Sequence, residues 1–150
     1  MTPEPAARLP VTYEFFDHTG DLGVRLRGAT RAELFAAAAA ALTAALVDPA
    51  TVRPADRRDV DLTAPTDDGL LVDWLSELLY LFEVHDLLVA SAEVTVDREA
   101  ERWRLHATID ADRFDPARHR IKLLIKGVTY HRLAIAESED GFETDLILDI

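Results

Sequence analysis

Two stretches of the chain repeat their hydrophobic residues with the period of an α-helix. Residues 69–85 carry apolar side chains at the spacing that gathers them on one face, the pattern of an amphipathic helix. Asp67 and Asp68 come immediately before this stretch. Because aspartate is a favoured helix N-cap, we expect one of these two residues to cap a helix over about residues 69–85.

The other helical stretch, residues 31–46, is rich in alanine. Thr30 is followed by Glu33, a capping box in which each side chain satisfies a free amide at the start of a helix. Asp48 and Pro49 end the pattern, because proline cannot continue a helix. We therefore predict a helix over residues 31–46, whose alanines allow close packing.

Alternating hydrophobic and polar residues predict about seven β-strands. The sixth is expected as one long strand with a kink at Gly127, and Asp140-Gly141 is a hairpin signal before the last strand. Helices and strands do not alternate regularly, which disfavours a doubly wound parallel fold. We predict a two-layer α+β fold, with largely antiparallel sheets packed against two main helices. The predicted strands are residues 11–16, 24–27, 59–63, 92–96, 103–109, 121–136 and 142–150.

The composition indicates one globular domain, which we expect to be cytoplasmic. Of the 150 residues, 49% are hydrophobic, enough for a single core of ordinary size. Cysteine is absent, which excludes disulfides and thiolate chemistry. No apolar run reaches the roughly 20 residues that a membrane helix needs. Residues 1–10 hold three prolines and no apolar signal-peptide core, so we expect a flexible leader before a domain over residues 11–150.

The charge of the chain narrows the classes of partner. Acidic residues outnumber basic ones, 28 to 16, and the net charge is −12. Nucleic acids and anionic membranes attract clustered Lys and Arg, so we expect no direct nucleic-acid binding and no membrane association. A cation or a basic protein partner suits this charge. The sequence also lacks P-loop, GxGxxG, GxSxG and HExxH motifs, which disfavours the commonest nucleotide-binding, hydrolase and metalloprotease classes.

Three short polar motifs are candidates for chemistry. The first is Asp17-His18-Thr19-Gly20-Asp21, between two predicted strands. Short polar side chains on such a tight loop can direct several oxygen atoms at a cation. The same residues also suit an Asx turn whose histidine bonds to the backbone, and spacing alone leaves both interpretations open.

The other two motifs lie in the last quarter of the chain. Lys126-Gly127-Val128-Thr129-Tyr130-His131 is either a polar cluster at a strand kink or an ordinary sheet segment with amphipathic aromatics. Asp149-Ile150 follows a β-rich run and is either held in a fixed position or is an ordinary end, salt-bridged or solvated. Hard cations bind several oxygen ligands at once. Asp21, Asp149 and the main-chain oxygens of Ile150 would form such a set if the last strand lies beside the first loop.

In these motifs the sequence resembles the archease family. Residues 18–23 resemble the family's His-Thr-Ala-Asp-(Ile/Val/Leu)-Gly signature, residues 126–131 its Lys-Ala-(Val/Ile)-Thr-Tyr-His, and residues 149–150 its Asp-Ile. The three motifs occur in family order over residues 12–150. Gly20 and Gly127 stand where alanine is usual, which adds backbone flexibility without changing the ligand atoms.

The resemblance implies a small α+β protein that is an activator and not an enzyme. Archeases activate the GTP-dependent tRNA-splicing RNA ligase by promoting guanylylation of the ligase's active-site histidine. They bind a divalent ion, for which we expect calcium, and the motif ligands would be Asp21, Asp149 and Ile150. The remaining motif residues are candidate supporting or partner-contact residues: Asp17, His18, Lys126, Thr129, Tyr130 and His131.

Two other functions compete with this interpretation. A metal-dependent hydrolase would use Asp17, His18, Asp21 and Asp149, although the sequence shows no second cluster to position a substrate. A chaperone-like or RNA-modification helper would bind its client without raising ligase turnover.

Overall fold

The computed structural model describes residues 12–130 and 133–150 of the chain. The expected leader, residues 1–10, lies outside the described residues. The helices are α1 (Arg31–Leu46) and α2 (Asp67–His85), with a short 3-10 turn at Pro49–Thr51. The strands, in chain order, are β1 (Thr12–His18), β2 (Asp21–Gly28), β3 (Asp56–Ala64), β4 (Leu87–Glu99), β5 (Arg102–Arg113), β6 (Gly127–Thr129), β7 (Ala136–Ser138) and β8 (Gly141–Asp149).

The described strands form two antiparallel sheets. The first has the order β1-β2-β8-β6, and β7 also pairs with β8, on stretches that β6 does not use. The second has the order β3-β5-β4. This arrangement confirms the predicted α+β fold with antiparallel sheets and two main helices. The described residues hold eight strands where about seven were predicted.

The additional strand arises because the prediction of one long strand over residues 121–136 is wrong. The backbone N–H of Lys122 donates to the carbonyl of Leu46 at 2.7 Å, and Ile125 is buried in the core. This segment is therefore held at the end of α1, away from β8. Only β6 and β7 pair with β8 in this part of the chain. The turn before β8 consists of Glu139 and Asp140, one residue earlier than the hairpin signal suggested.

Helix α1 has the predicted bounds and lies at the centre of the core. The Oγ1 of Thr30 accepts from the Glu33 N–H at 3.0 Å, and the Glu33 carboxylate accepts from the N–H of Ala29 at 2.7 Å. The capping box is thus confirmed, with its second bond reaching one residue further back. The helix packs against β2 of one sheet and β4 of the other, as well as against α2. It is buried on nearly every side, and its alanines allow this close approach.

Helix α2 begins at Asp67, two residues before the predicted start at about Gly69. Its N-cap is Thr66, whose Oγ1 accepts from the N–H of Gly69 at 3.1 Å, so the prediction of Asp67 or Asp68 as the cap is wrong. These two aspartates occupy the first turn, where a negative charge interacts favourably with the positive end of the helix dipole. Asp67 also binds Arg31 at 2.9 Å, which ties the start of α2 to the start of α1.

No helix in the described part of the chain is long and apolar enough to span a membrane.

Candidate functional site

The first motif forms a tight turn at one end of the first sheet. β1 and β2 pair in register so that His18 lies opposite Asp21, with Thr19 and Gly20 as the two turn residues. Gly20 has a φ of +74°, in the left-handed region where glycine carries no steric penalty. The turn holds the imidazole and the carboxylate as neighbours, with the Nδ1 of His18 3.8 Å from the Oδ2 of Asp21.

The third motif lies on the other side of β2. Leu22 pairs with Leu148, and both pack in the core. Continuing the β2–β8 register by one residue places Asp149 beside Asp21. Because side chains alternate between the faces of a strand, these two carboxylates lie on the outer face, opposite the core-facing leucines.

The second motif completes this end of the sheet. Gly127 pairs with Asp149, and the backbone N–H of Lys126 donates to the carbonyl of Asp149 at 2.7 Å. Thr129 pairs with Ile147 and shares the outer face with the carboxylates. The first motif, more than 100 residues from the other two along the chain, therefore meets them on adjacent strands.

The electrostatics of this sheet end are acidic. Asp149 is exposed, and within the described residues neither it nor Asp21 forms an ion pair with a Lys or Arg side chain. Two neighbouring carboxylates without such a partner repel each other. The described residues contain no group of three or more His, Cys, Asp or Glu side chains placed to hold a metal ion. A cation here would need main-chain oxygens, such as those of Ile150, and water in addition to the two carboxylates.

Two of the predicted supporting residues lie elsewhere. Asp17 pairs with Leu22, so it points to the opposite face of the sheet from His18 and Asp21. Tyr130 follows β6 and directs its hydroxyl at the first turn of α2, beside Gly69. Burial raises the pKa of this hydroxyl, and the nearby carboxylates of Asp73 and Asp68 raise it further, so it stays protonated at neutral pH. His131 lies outside the described residues.

A polar network that the sequence did not predict lies beneath the loop after β5. The Nδ1 of His119 accepts from the N–H of Asp115 at 3.0 Å, so the ring proton is on Nε2. Nε2 lies 3.0 Å from both the Oδ2 of Asp112 and the carbonyl of Thr51. Asp112 accepts further bonds from Arg118, at 3.0 Å, and from the N–H of Arg53, at 2.9 Å.

This network has a structural role. His119 is only 1% exposed and Asp112 only 4%, so no substrate reaches either side chain. Their bonds join the 3-10 turn, the end of β5 and the loop that follows it. The sole signal in the sequence is the concentration of Asp, Arg and His over residues 112–119, which does not distinguish a buried network from a solvated loop.

Comparisons of the sequence and of the fold with known proteins point to one family. The sequence profile of the Archease protein family matches residues 13–150. The protein archease of Methanosarcina acetivorans is 37% identical, over 92% of this chain and 95% of its own length. That of Pyrococcus furiosus is 30% identical, over 92% and 98%. The solution structure of Methanobacterium thermoautotrophicum protein 1598 superposes with a TM-score of 0.78 at 28% identity, covering 92% of this chain and 98% of that one.

Proposed function

The chain belongs to the archease family, and from this premise we propose that it is a protein cofactor of the GTP-dependent tRNA-splicing or RNA-repair ligase. It would raise ligase turnover by promoting guanylylation of the ligase's active-site histidine. The observation that carries the proposal is the meeting of three motifs at one sheet end, on strands β1, β2, β6 and β8. These are the motifs in which the sequence resembles archeases.

We propose that this sheet end holds a divalent ion, with calcium as the expected one. Asp21 and Asp149 would supply carboxylate oxygens and Ile150 main-chain oxygens, and such hard oxygen donors suit a hard cation. The repulsion between the two neighbouring carboxylates would favour binding of a cation, since the positive charge would offset it. His18, 3.8 Å from Asp21, would orient that carboxylate from the side of β1. When bound, the ion would supply positive charge and fixed geometry.

The net charge of −12 supports a protein partner. A surface this acidic repels the phosphates of RNA, whereas a ligase that handles RNA must present basic side chains. Long-range attraction between the two would speed their encounter and would weaken as salt rises, because the screening length is about 8 Å at physiological ionic strength.

The proposal is tested by following ligase guanylylation from GTP with and without this protein. We expect substoichiometric amounts of the protein to raise guanylylation and multiple-turnover ligation. The protein alone should hydrolyse neither GTP nor RNA, and it should not shift naked RNA in a gel. Metal-dependent hydrolysis by the isolated chain would instead support the alternative function as a metal-dependent hydrolase. Binding to the ligase with unchanged turnover would support the alternative function as a chaperone-like or RNA-modification helper.

A further inference from the structure

The outward face of α2 carries aromatic, aliphatic and acidic side chains in one row. Asp73, Glu77, Tyr80 and Val84 follow one another at intervals of four, three and four residues, which places them on the same side of the helix. Tyr80 is 48% exposed and Val84 is 56% exposed. The Tyr80 ring packs edge-on against His85, with 5.5 Å between the ring centroids, and this contact restricts its orientation. The outward face of α2 therefore exposes aromatic and aliphatic side chains beside acidic ones.

Tyr130 extends this row past the first turn of the helix. Its hydroxyl lies beside Gly69, where an added Cβ would approach it to 3.0 Å. Gly69 precedes Asp73 by four residues and so shares its side of α2. We name the set Tyr130, Asp73, Glu77, Tyr80 and Val84 the tyrosine stripe. From Gly69 to Val84 the helix rises about 22 Å.

The acids of the tyrosine stripe differ from those on the sheet faces. On the outer face of the first sheet, Asp145 binds Arg25 at 2.9 Å, and on the second sheet Asp110 binds Arg57 at 3.2 Å. Among the described residues, by contrast, no Lys or Arg forms an ion pair with Asp73 or Glu77. Within the described residues, the charge of these two carboxylates is therefore not neutralised by a basic side chain.

The composition of the tyrosine stripe indicates what that partner presents. Tyrosine offers a large, fairly rigid contact area, and its ring face attracts the guanidinium of arginine. Tyrosine is also enriched at the centres of protein interfaces. The carboxylates between the two tyrosines would pair with Lys or Arg and repel phosphate. The stripe thus fits a basic protein surface better than a nucleic acid.

We propose that the tyrosine stripe is the docking surface for the protein partner, and that it binds a surface on which Arg or Lys side chains flank an apolar contact. This inference rests on the proposed function, in which the partner is the ligase. The stripe lies on α2, apart from the row of His18, Asp21 and Asp149 on the outer face of the first sheet. Docking and ion binding would therefore use different residues.

The test compares two charge-matched double variants. Asp73→Lys with Glu77→Lys alters the stripe, whereas Glu137→Lys with Glu139→Lys alters the exposed β7–β8 turn. Both doubles change the net charge from −12 to −8, so they affect long-range steering equally. A third variant, Tyr80→Ala, removes an exposed ring without changing the charge. Dissociation constants for the cognate ligase are measured by calorimetry at low and high salt, beside guanylylation rates and thermal unfolding.

We expect the stripe double variant and Tyr80→Ala each to raise the dissociation constant about tenfold or more, as for residues at an interface centre. The turn double variant should stay within about twofold of the wild type at high salt, where steering is screened. All variants should unfold at similar temperatures. If the two doubles weaken binding equally while the wild type activates the ligase, the stripe is not the docking surface and the proposed function stands. A wild type that neither binds nor activates the ligase overturns both.

Discussion

The backbone N–H of Lys126 donates to the carbonyl of Asp149 at 2.7 Å. This bond fixes the end of β8 against the start of β6, while β2 holds β8 from the other side. The Asp149 side chain therefore stands on a strand that is paired along both edges. Rigid placement of this kind preorganises a binding site, because little conformational freedom is lost when the ligand arrives.

The first prediction concerns the proposed ion. Asp21→Asn and Asp149→Asn should each weaken calcium binding about tenfold or more, because each removes a charged oxygen donor from a set with only two carboxylates. Asp17→Asn is the matched control: it changes the charge equally, two residues before the turn, on the opposite face of the sheet. Calcium titration by calorimetry checks all three. Equal losses for Asp17→Asn and Asp21→Asn would show that general charge, and not a site, governs binding.

The second prediction concerns the aromatic contact beside the site. A Cβ added to Gly23 would lie 2.2 Å from the ring of Phe16, which covers this glycine from β1. Gly23→Ala should therefore displace the ring and destabilise the protein by about 1–3 kcal/mol. A Cβ at Gly127 meets nothing within 4 Å, so Gly127→Ala should be neutral or stabilise by up to about 1 kcal/mol. Urea unfolding measures both free energies, and a harmless Gly23→Ala would contradict the packing described here.

The third prediction concerns the end of α1. The ammonium of Lys122 donates to the carbonyl of Ala44 at 2.9 Å, while its backbone N–H donates to that of Leu46. Lys122→Met keeps the aliphatic stem and the backbone bond but loses the charged donor, which should cost about 1–2 kcal/mol. Lys126→Met is the control, since Lys126 is the only other lysine and its ammonium donates no hydrogen bond within the described residues. Equal stability of the two variants in thermal or urea unfolding would refute the capping role.

The backbone hydrogen bond from Lys122 to Leu46 shows why the bounds of α1 were predicted correctly and the strand over residues 121–136 was not. The bounds of α1 follow from local signals, the capping box at Thr30 and Glu33 and the proline just beyond its end. Residues 121–125 belong to a segment rich in β-forming residues, which favours a strand. The acceptor that removes them from the sheet is Leu46, far away along the chain, and no local pattern contains that contact. Tertiary structure here overrides strand propensity.

The composition of the candidate site could be predicted from the sequence only under an assumption about which strands pair. The motifs could be recognised, and the ligand set could be stated on the assumption that the last strand reaches the first turn. The register that places Asp21 and Asp149 on one face, and Asp17 on the other, depends on long-range pairing. A slip of one residue would have reversed these faces. Burial of His119 depends likewise on Thr51, a residue that precedes it by 68 positions.

The last prediction concerns acid stability. Burial by itself would raise the pKa of Asp112, but hydrogen bonds from the N–H of Arg53 and from Arg118, together with the charge of Arg118, outweigh it and lower the pKa. A carboxyl whose pKa is lower in the folded than in the unfolded state stabilises the fold above the unfolded value, about 3.9. That contribution disappears as the pH falls from there through the lowered folded pKa.

Asp112→Asn should therefore destabilise the protein by about 1–3 kcal/mol at pH 7, because the buried network loses its charged acceptor and the half-buried Arg118 keeps only Asp115 as a carboxylate partner among the described residues. The gap between wild type and variant should narrow as the pH falls below about 4, where the wild type loses the same charge. Asp110→Asn, two residues away and half-buried in a pair with the exposed Arg57, should cost less than about 1 kcal/mol. Urea unfolding between pH 7 and pH 3 measures each free energy. A gap that stays constant over this range would mean that Asp112 keeps the same ionisation in the folded and unfolded chain, which the hydrogen bonds around it do not allow.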